Sequence, residues 1–137
     1  MEITNKDQEL IDIATKIVTD NKDLYNDLTL VVACAIRGKS GKIYSGINIK
    51  TSHSICAEQV AIGQAFANGE RELETIVAVK LERDGNPRVV SPCGLCRYTF
   101  DKLGLHNLQA IVVNPDNNSL LKATVKELLP YPYVRYE

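Results

Sequence analysis

The segment HSICAEQVAIGQAFANG, residues 53–69, predicts a helix between two β-rich parts of the chain. The helix is expected to run from about Cys56 to Asn68 and to end at Gly69, because glycine readily takes the left-handed conformation that terminates helices. Cys56 and Glu58 occupy the start of this helix, where apolar or neutral residues would serve a purely structural element as well. Their presence points to chemistry at this helix start.

On both sides of this helix the chain alternates between predicted strands and helices. An apolar run at 28–37 and an alternating run at 42–50 form a hairpin, and a continuous apolar strand spans 75–82. The other predicted elements are a helix at 5–20 with Asn5 and Gln8 as its capping box, a helix from about Cys93 to Leu103 closed by Gly104, strands at 110–114 and 120–124, and a last helical turn capped by Thr124 and Glu127. This order predicts an α/β fold, with a mixed sheet and helices on both faces.

Length and composition limit the possible functions. The chain has 137 residues, 45% hydrophobic and 24% charged, which predicts a single globular domain over residues 1–137. No apolar run approaches the roughly 18 residues of a membrane span, and the first residues do not resemble a secretory signal, so we expect a soluble, cytoplasmic protein. A net charge of −1 argues against strong binding to nucleic acid or to a membrane, and favours a small-molecule partner.

The four cysteines are interpreted as thiols or metal ligands rather than as two disulfides, since we expect a reducing compartment. The motif CGLC places Cys93 and Cys96 three residues apart at a helix start, where both thiols can face one point. Taken alone, this spacing also fits two small buried hydrophobic residues or a redox dithiol. Cys56 lies at a second strand-to-helix junction of the same sheet, so that three thiols can meet. Cys34 lies inside a predicted strand and is expected in the core.

Three thiolates leave a fourth tetrahedral position on a zinc ion for water, as in catalytic zinc sites. Partial positive charge at the two helix N-termini stabilises the thiolates. Glu58 lies two residues after Cys56, a spacing that points the two side chains in different directions on a helix, so we expect Glu58 beside the zinc and not bound to it. A carboxylate there can carry protons between water and substrate. The structural alternative for Glu58 is an exposed acidic residue in a first helical turn.

The motifs CAE at 56–58 and PCGLC at 92–96 resemble the zinc deaminase signature in its three-cysteine form. The sequence is similar to the small cytidine deaminase family, and within it to the blasticidin S deaminase branch, over most of residues 32–130. The similar segments are VACAIR (32–37), CAEQVAIGQA (56–65), ANGERELETIVAV (67–79), RVVSPCGLCR (88–97) and VKELLP (125–130). The resemblance implies a three-layer α/β/α sandwich around a five-stranded mixed sheet, usually in a homotetramer with active sites at subunit interfaces.

The resemblance also implies the reaction and several substrate contacts. Water activated by zinc adds to C4 of a cytosine ring, Glu58 protonates N3 and then the departing amine, and ammonia leaves. Family groups that bind the ring correspond to the backbone N–H of Ala57 and the carbonyl of Ser91. Asn48 corresponds to an asparagine that binds ribose, while a polar residue near a strand end is its structural alternative.

Three positions and one loop depart from the family pattern. Lys50 stands where the family has a carboxylate that binds a sugar hydroxyl, and the 48–56 loop is shorter. Leu30 replaces a phenylalanine that packs on the base. Gln59 replaces an arginine that hydrogen-bonds the zinc thiolates, and Arg97, which is retained, is expected to take over part of that role.

His53 and one of the tyrosines Tyr131, Tyr133 and Tyr136 are further candidates for substrate contact; a solvated loop and a packed terminus are their structural alternatives. Three other functions compete with deamination of a free cytosine nucleoside or related aminopyrimidine: deamination of another aminated heterocycle, zinc binding by a catalytically silent protein of the same fold, and editing of nucleic acid. Editing needs a basic groove and stacking aromatics, which a net charge of −1, the absence of Trp and only two Phe do not favour.

Overall fold

The structure, a computed structural model that describes residues 1–134, is built on one mixed β-sheet. The elements in chain order are α1 (Asn5–Asp20), a 3-10 helix (Leu28–Leu30), β1 (Val32–Gly38), β2 (Ile43–Ile47), α2 (Ala57–Ala67), β3 (Leu73–Leu81), β4 (Pro87–Val90), α3 (Gly94–Lys102), β5 (Gln109–Val113), β6 (Leu120–Thr124) and α4 (Val125–Leu128). Within the described part of the chain, no helix is both long and apolar enough to cross a membrane.

The strand order is β2-β1-β3-β5-β6, with β4 paired to β3 outside this path. β1 is antiparallel to both β2 and β3, whereas β3 and β5 are parallel. Two strands share one edge of β3, because β4 pairs with Ala78–Leu81 and β5 pairs with Thr75 and Ile76. The chain that follows Val90 therefore leaves the sheet between β4 and β5, where one edge of β3 changes its pairing partner from one strand to the other.

Helices cover both faces of the sheet. Alternate residues of the central strands point in opposite directions, and because both sets are apolar, each face forms a core against helices. Ala33 and Ala35 of β1 face α1, whereas Cys34 and Ile36 face α2 and α3. The largest buried side chains on the α1 side are Leu10, Val18, Val31, Val77, Val79, Leu81 and Ile111, and those on the other side are Ile36, Ile76, Phe100 and Leu108. The predicted three-layer α/β/α class is confirmed. The sheet holds six strands, the five predicted ones in the main order and β4 in addition.

Helix α2 packs against β2 at unusually close range. A Cβ atom on Gly46 would lie 2.6 Å from the backbone nitrogen of Ala61 and 2.7 Å from the carbonyl oxygen of Ala57. Both of these atoms belong to the helix backbone and cannot rotate away as a side chain could. Gly46 therefore sets the distance between this strand and the helix that carries Glu58.

Two local predictions differ from the structure. Residues 28–30, which were expected in a strand, form a 3-10 turn because the Asp27 carboxylate accepts hydrogen bonds from both the backbone N–H and the hydroxyl of Thr29. Helix α1 is capped by Thr4 with Asp7, not by Asn5 with Gln8. The helix ends at Gly69 and Gly104 agree with the prediction, since φ is +83° and +70° at these residues.

Candidate zinc and catalytic site

The thiols of Cys56, Cys93 and Cys96 meet at one point, and their sulfur atoms all lie within 4.8 Å of one another. The Cys56 and Cys93 sulfurs are 3.8 Å apart, far beyond the roughly 2.05 Å of a disulfide. Two thiolates on a tetrahedral zinc, each with a Zn–S bond of about 2.3 Å, lie about 3.8 Å apart. The spacing and chemistry of this donor set therefore fit zinc, and the three sulfurs leave one tetrahedral position for another ligand.

Two helix starts bring these thiols together. Cys56 is the N-cap of α2 and Cys93 is the N-cap of α3, while Cys96 lies in the first turn of α3. The first N–H groups of a helix have no partner within the helix and carry partial positive charge, which stabilises a nearby thiolate. The loop that leads to Cys93 is fixed as well, because Ser91 Oγ accepts a hydrogen bond from Val113 N–H at 3.0 Å.

The protonation of the three thiols differs with their surroundings. Burial, with the nearby Glu58 carboxylate, raises the pKa of the Cys96 thiol well above its usual range, and burial also raises the pKa of Cys56. For Cys93 burial again acts upward, but the backbone N–H groups of Cys96 and Leu95 and the neighbouring thiols outweigh it, so that its pKa is lowered. Deprotonation of all three thiols places several negative charges close together, and a divalent cation is the natural counter-charge for them.

Glu58 lies on the first turn of α2, with 6% of its surface exposed. Burial raises the pKa of its carboxyl above the usual range, although its own backbone N–H and the Cys96 thiol act in the opposite direction. Among residues 1–134, the metal-type group contains the three cysteines and does not include Glu58. The carboxylate is thus next to the sulfur cluster without being part of it.

A cleft of about 290 Å³ opens above the cysteines. Its lining residues are Thr29, Leu30, Val32, Asn48, Lys50, Ser54, Ile55, Cys56, Ala57, Glu58, Val90, Ser91 and Cys93. Two backbone groups in this lining are available to a ligand: over the described residues, the Ala57 N–H has no acceptor and the Ser91 carbonyl has no donor. The cleft thus combines apolar walls with one free donor and one free acceptor.

Asn48 is 9% exposed, and its amide bridges two parts of the cleft wall. Its Oδ1 accepts a hydrogen bond from Val32 N–H at 2.9 Å, and its Nδ2 donates to the Leu30 carbonyl at 2.8 Å. An amide has two donors and two acceptor lone pairs, so one N–H and one lone pair remain for a ligand. Asn48 therefore has a structural role, because it attaches the 3-10 turn to the start of β1. The Leu30 side chain is 38% exposed on the same wall.

Gln59 and Arg97, the two residues expected near the zinc thiolates, make hydrogen bonds to other groups. Gln59 Oε1 accepts from the Cys56 N–H at 3.3 Å, and its Nε2 donates to Thr99 Oγ1 at 3.3 Å. Arg97 donates from Nε to the Pro92 carbonyl at 2.8 Å and from Nη1 to the Leu128 carbonyl at 3.3 Å. Throughout residues 1–134, neither side chain makes a hydrogen bond to a site sulfur.

The remaining candidates lie outside the cleft. Cys34 is fully buried in the core between β1 and α2, as expected, and His53 is exposed in the loop before Cys56 without lining the cleft. Tyr131 lines a separate cavity beside α3, Tyr133 is 73% exposed, and Tyr136 lies outside the described residues.

Several lining residues were not anticipated, among them Thr29, Ser54 and Ile55. Tyr25 was also missed, although its hydroxyl holds the end of the cleft wall: it donates to the Asn48 carbonyl at 2.7 Å and accepts from the Lys50 N–H at 3.0 Å. The one signal in the sequence is a lone aromatic residue in a mostly polar segment, NKDLYND.

Comparisons with known proteins agree on one family. The family model described as the cytidine and deoxycytidylate deaminase zinc-binding region matches residues 4–117. Blasticidin-S deaminase from Bacillus cereus is 39% identical over 140 residues, which cover 97% of this chain and 96% of that protein. Cytidine deaminase from Halalkalibacterium halodurans is 31% identical over 102 residues, 72% of this chain and 74% of that protein.

Solved structures show the same fold. The cytidine deaminase from Burkholderia pseudomallei superposes with a TM-score of 0.70 at 25% identity, over 92% of this chain and 98% of that chain. The cytidine deaminase from Bacillus anthracis gives a TM-score of 0.72 at 24% identity, over 92% of this chain and 88% of that chain.

Proposed function

Because this chain belongs to the cytidine and deoxycytidylate deaminase family and is thus a zinc-dependent hydrolytic enzyme, we propose that it releases, as ammonia, the amino group of a free cytosine nucleoside or a related aminopyrimidine such as blasticidin S. One observation carries the proposal: the three thiols, the buried carboxylate of Glu58 and two free backbone groups line or adjoin a single cleft. We assign all of this to one domain, residues 1–137.

Zinc held by Cys56, Cys93 and Cys96 supplies a Lewis acid, which makes water a nucleophile near neutral pH. Glu58 is the proton carrier of the reaction. Its carboxylate takes one proton from the attacking water and delivers it to the ring nitrogen N3. It then takes the remaining proton from the hydroxyl group newly added at C4 and delivers it to the leaving amine, so that the C4–N bond breaks and C4 becomes a carbonyl. Its burial supports this role, because a carboxyl whose pKa is raised towards neutrality both accepts and returns protons readily.

The lining of the cleft supports binding of a planar ring with both a carbonyl and an amino group. The free N–H of Ala57 can donate to a ring carbonyl, and the free carbonyl of Ser91 can accept from the amino group. Apolar side chains such as Leu30 and Val90 can pack on the ring faces. In this proposal Asn48 uses its remaining N–H and lone pair on the sugar.

We further propose that the enzyme is cytoplasmic and works as a homotetramer with active sites at subunit interfaces. Apolar side chains on the outer surface support an assembly: Leu95 and Tyr98 on α3 are 52% and 47% exposed, and Tyr133 near the C-terminus is 73% exposed. Exposed apolar side chains concentrated in this way are typical of protein contacts. Light scattering of the purified protein tests the assembly.

A screen for ammonia release tests the activity. Purified protein with one zinc per chain is incubated with cytidine, deoxycytidine, cytosine, blasticidin S and other aminated heterocycles. Stoichiometric ammonia and the deaminated product from a cytosine-containing compound are expected. Tightly bound zinc without ammonia from any compound would instead identify a silent zinc-binding protein, and release from a non-pyrimidine alone would reassign the substrate class.

A further inference from the structure

Backbone hydrogen bonds hold the loop at residues 49–55, at the mouth of the cleft, although the side chains of this loop are exposed. Ile49 and Ile55 exchange two backbone hydrogen bonds, at 3.0 and 2.9 Å, which close the loop at its base. The Tyr25 hydroxyl bonds the carbonyl of Asn48 and the N–H of Lys50 on either side of Ile49. The backbone that carries Lys50 is therefore fixed by contacts to the rest of the fold.

Lys50 brings the only cationic side chain to this cleft, counted over residues 1–134. The one carboxylate in the lining, Glu58, lies on the buried first turn of α2 beside the cysteines. The ion pairs formed within the same residues do not involve Lys50. Its ammonium group has no competing partner there and is free to bind a ligand.

We propose that Lys50 is a specificity-determining residue, which makes the site select cytosine-type substrates with an anionic group on their sugar side. An ammonium offers three donors and no acceptor, so it cannot receive a hydrogen bond from a sugar hydroxyl. It binds an anionic oxygen through a charge-assisted hydrogen bond, which is about twice as strong as a neutral one. This inference rests on the proposed function, since it assigns the substrate class of the same cleft.

Two sources can supply the anion, a carboxylate on the sugar ring or a phosphate attached to it. Matched compounds separate them: cytidine is neutral, cytidine 5′-carboxylic acid replaces the 5′-CH2OH by a carboxylate, cytidine 5′-monophosphate carries a phosphate, and blasticidin S carries a carboxylate on its sugar. The methyl ester of blasticidin S removes the negative charge of this carboxylate and keeps the rest of the molecule.

The test compares wild-type protein with Lys50→Met, Lys50→Glu and the control Lys42→Met. Lys42 is an exposed lysine that precedes β2 and does not line the cleft, so its loss changes net charge by the same amount. In Lys50→Met, we expect kcat/KM for the preferred anionic compound to fall roughly 10- to 100-fold, the value of one charge-assisted bond, while that for cytidine stays within about twofold. Lys50→Glu should lower kcat/KM for the anionic compound further, because a carboxylate repels an anion. The same variant should raise kcat/KM for cytidine, because a carboxylate accepts a hydrogen bond from a sugar hydroxyl.

Binding measurements keep this inference separate from the activity. Dissociation constants for the same compounds, measured by calorimetry with the zinc-loaded protein, report the preference even where no compound is turned over. A Lys50-dependent preference for anions without ammonia release would retain the inference and reject the proposed function. Equal affinities for charged and neutral compounds, or an anion preference that Lys50→Met leaves unchanged, would overturn the inference whatever the activity.

Discussion

Gln59 on α2 donates a hydrogen bond to the hydroxyl of Thr99 on α3, at 3.3 Å. The Oε1 atom of the same glutamine accepts from the N–H of Cys56. The Thr99 hydroxyl in turn donates to the Leu95 carbonyl at 2.9 Å. One neutral side chain thus links the start of α2, at Cys56, to the middle of α3, the helix that carries the other two thiols.

Loss of this link should weaken zinc binding without unfolding the protein. In Gln59→Leu, we expect a 10- to 100-fold lower zinc affinity, roughly the cost of removing a group that orients a metal ligand. Competition with a chromogenic chelator measures it. Gln8→Leu, which removes an exposed glutamine paired with Asp12 on α1, is the matched control and should bind zinc like the wild type. Equal affinity in both variants would show that Gln59 does not position Cys56.

Elemental analysis should find one zinc per chain. Serine in place of Cys56, Cys93 or Cys96 removes a thiolate, and each variant should lose most of its metal because the chelate is incomplete. Cys34→Ala should keep the metal, since Cys34 is buried in the core and its sulfur does not belong to the metal-type group. Loss of zinc from Cys34→Ala to the same degree as from Cys93→Ser would contradict a site with three thiolates and an open position.

Glu58→Gln should retain zinc and fold but lose turnover. The neutral amide has the same shape as the carboxylate and cannot carry a proton, and general acid–base catalysis contributes about 10²- to 10⁴-fold to rate. Rates of ammonia release, compared with those of Glu74→Gln at an exposed position of β3, measure the effect. Activity near that of the wild type in Glu58→Gln would remove this residue from the mechanism.

Asp7 should stabilise the fold at neutral pH and lose this contribution in acid. Burial acts to raise the pKa of this carboxyl, but the hydrogen bond from the Thr4 N–H and the contact with Lys122 at 3.0 Å outweigh it and lower the pKa below 3.8. A lowered folded-state pKa stabilises the fold above the unfolded value, and the contribution disappears as pH falls through the folded value. Asp7→Asn should therefore cost about 1–3 kcal/mol of unfolding free energy at pH 7.

Denaturant unfolding at several pH values checks this prediction. The difference between wild type and Asp7→Asn should be constant near neutral pH and should shrink below pH 3.8. A difference that stays the same down to the acid limit would mean that Asp7 contributes through packing and not through its charge.

Replacement by alanine should change the stability of the protein in opposite directions at two glycines, one packed against α2 and one within it. Gly46→Ala places a Cβ against the helix backbone at 2.6 Å, and we expect a loss of about 1–3 kcal/mol together with a lower kcat, because α2 has to move. A Cβ on Gly63, in the exposed part of α2, meets no atom within 4 Å, so Gly63→Ala should stabilise the protein by up to about 1 kcal/mol. Thermal unfolding and ammonia release measure both. Stabilisation in both variants would show that β2 and α2 do not pack as described.

The sequence predicts those parts of the fold and site that depend on local signals. The glycine ends of α2 and α3 and the alternation of the hairpin are such signals, and the structure reproduces them. The strand β4 was missed because it is short and pairs along only part of β3, with exposed residues at Pro87 and Arg88. The hydrogen bonds of the Asn48 side chain to backbone groups 16 and 18 residues away form only in the tertiary fold, so no local sequence pattern predicts them.

Cys56 and Cys93 are 37 positions apart in the chain, and the segment between them includes all of α2, β3 and β4. Ligation of one ion by both residues closes that segment into a ring, and a ring has less entropy to gain on unfolding than an open chain. Because the unfolded chain holds no preformed site, the free energy of metal binding adds to that of folding. The lifetime of this protein in a cell, and its resistance to proteases that cut locally opened chains, should therefore rise and fall with the concentration of free zinc.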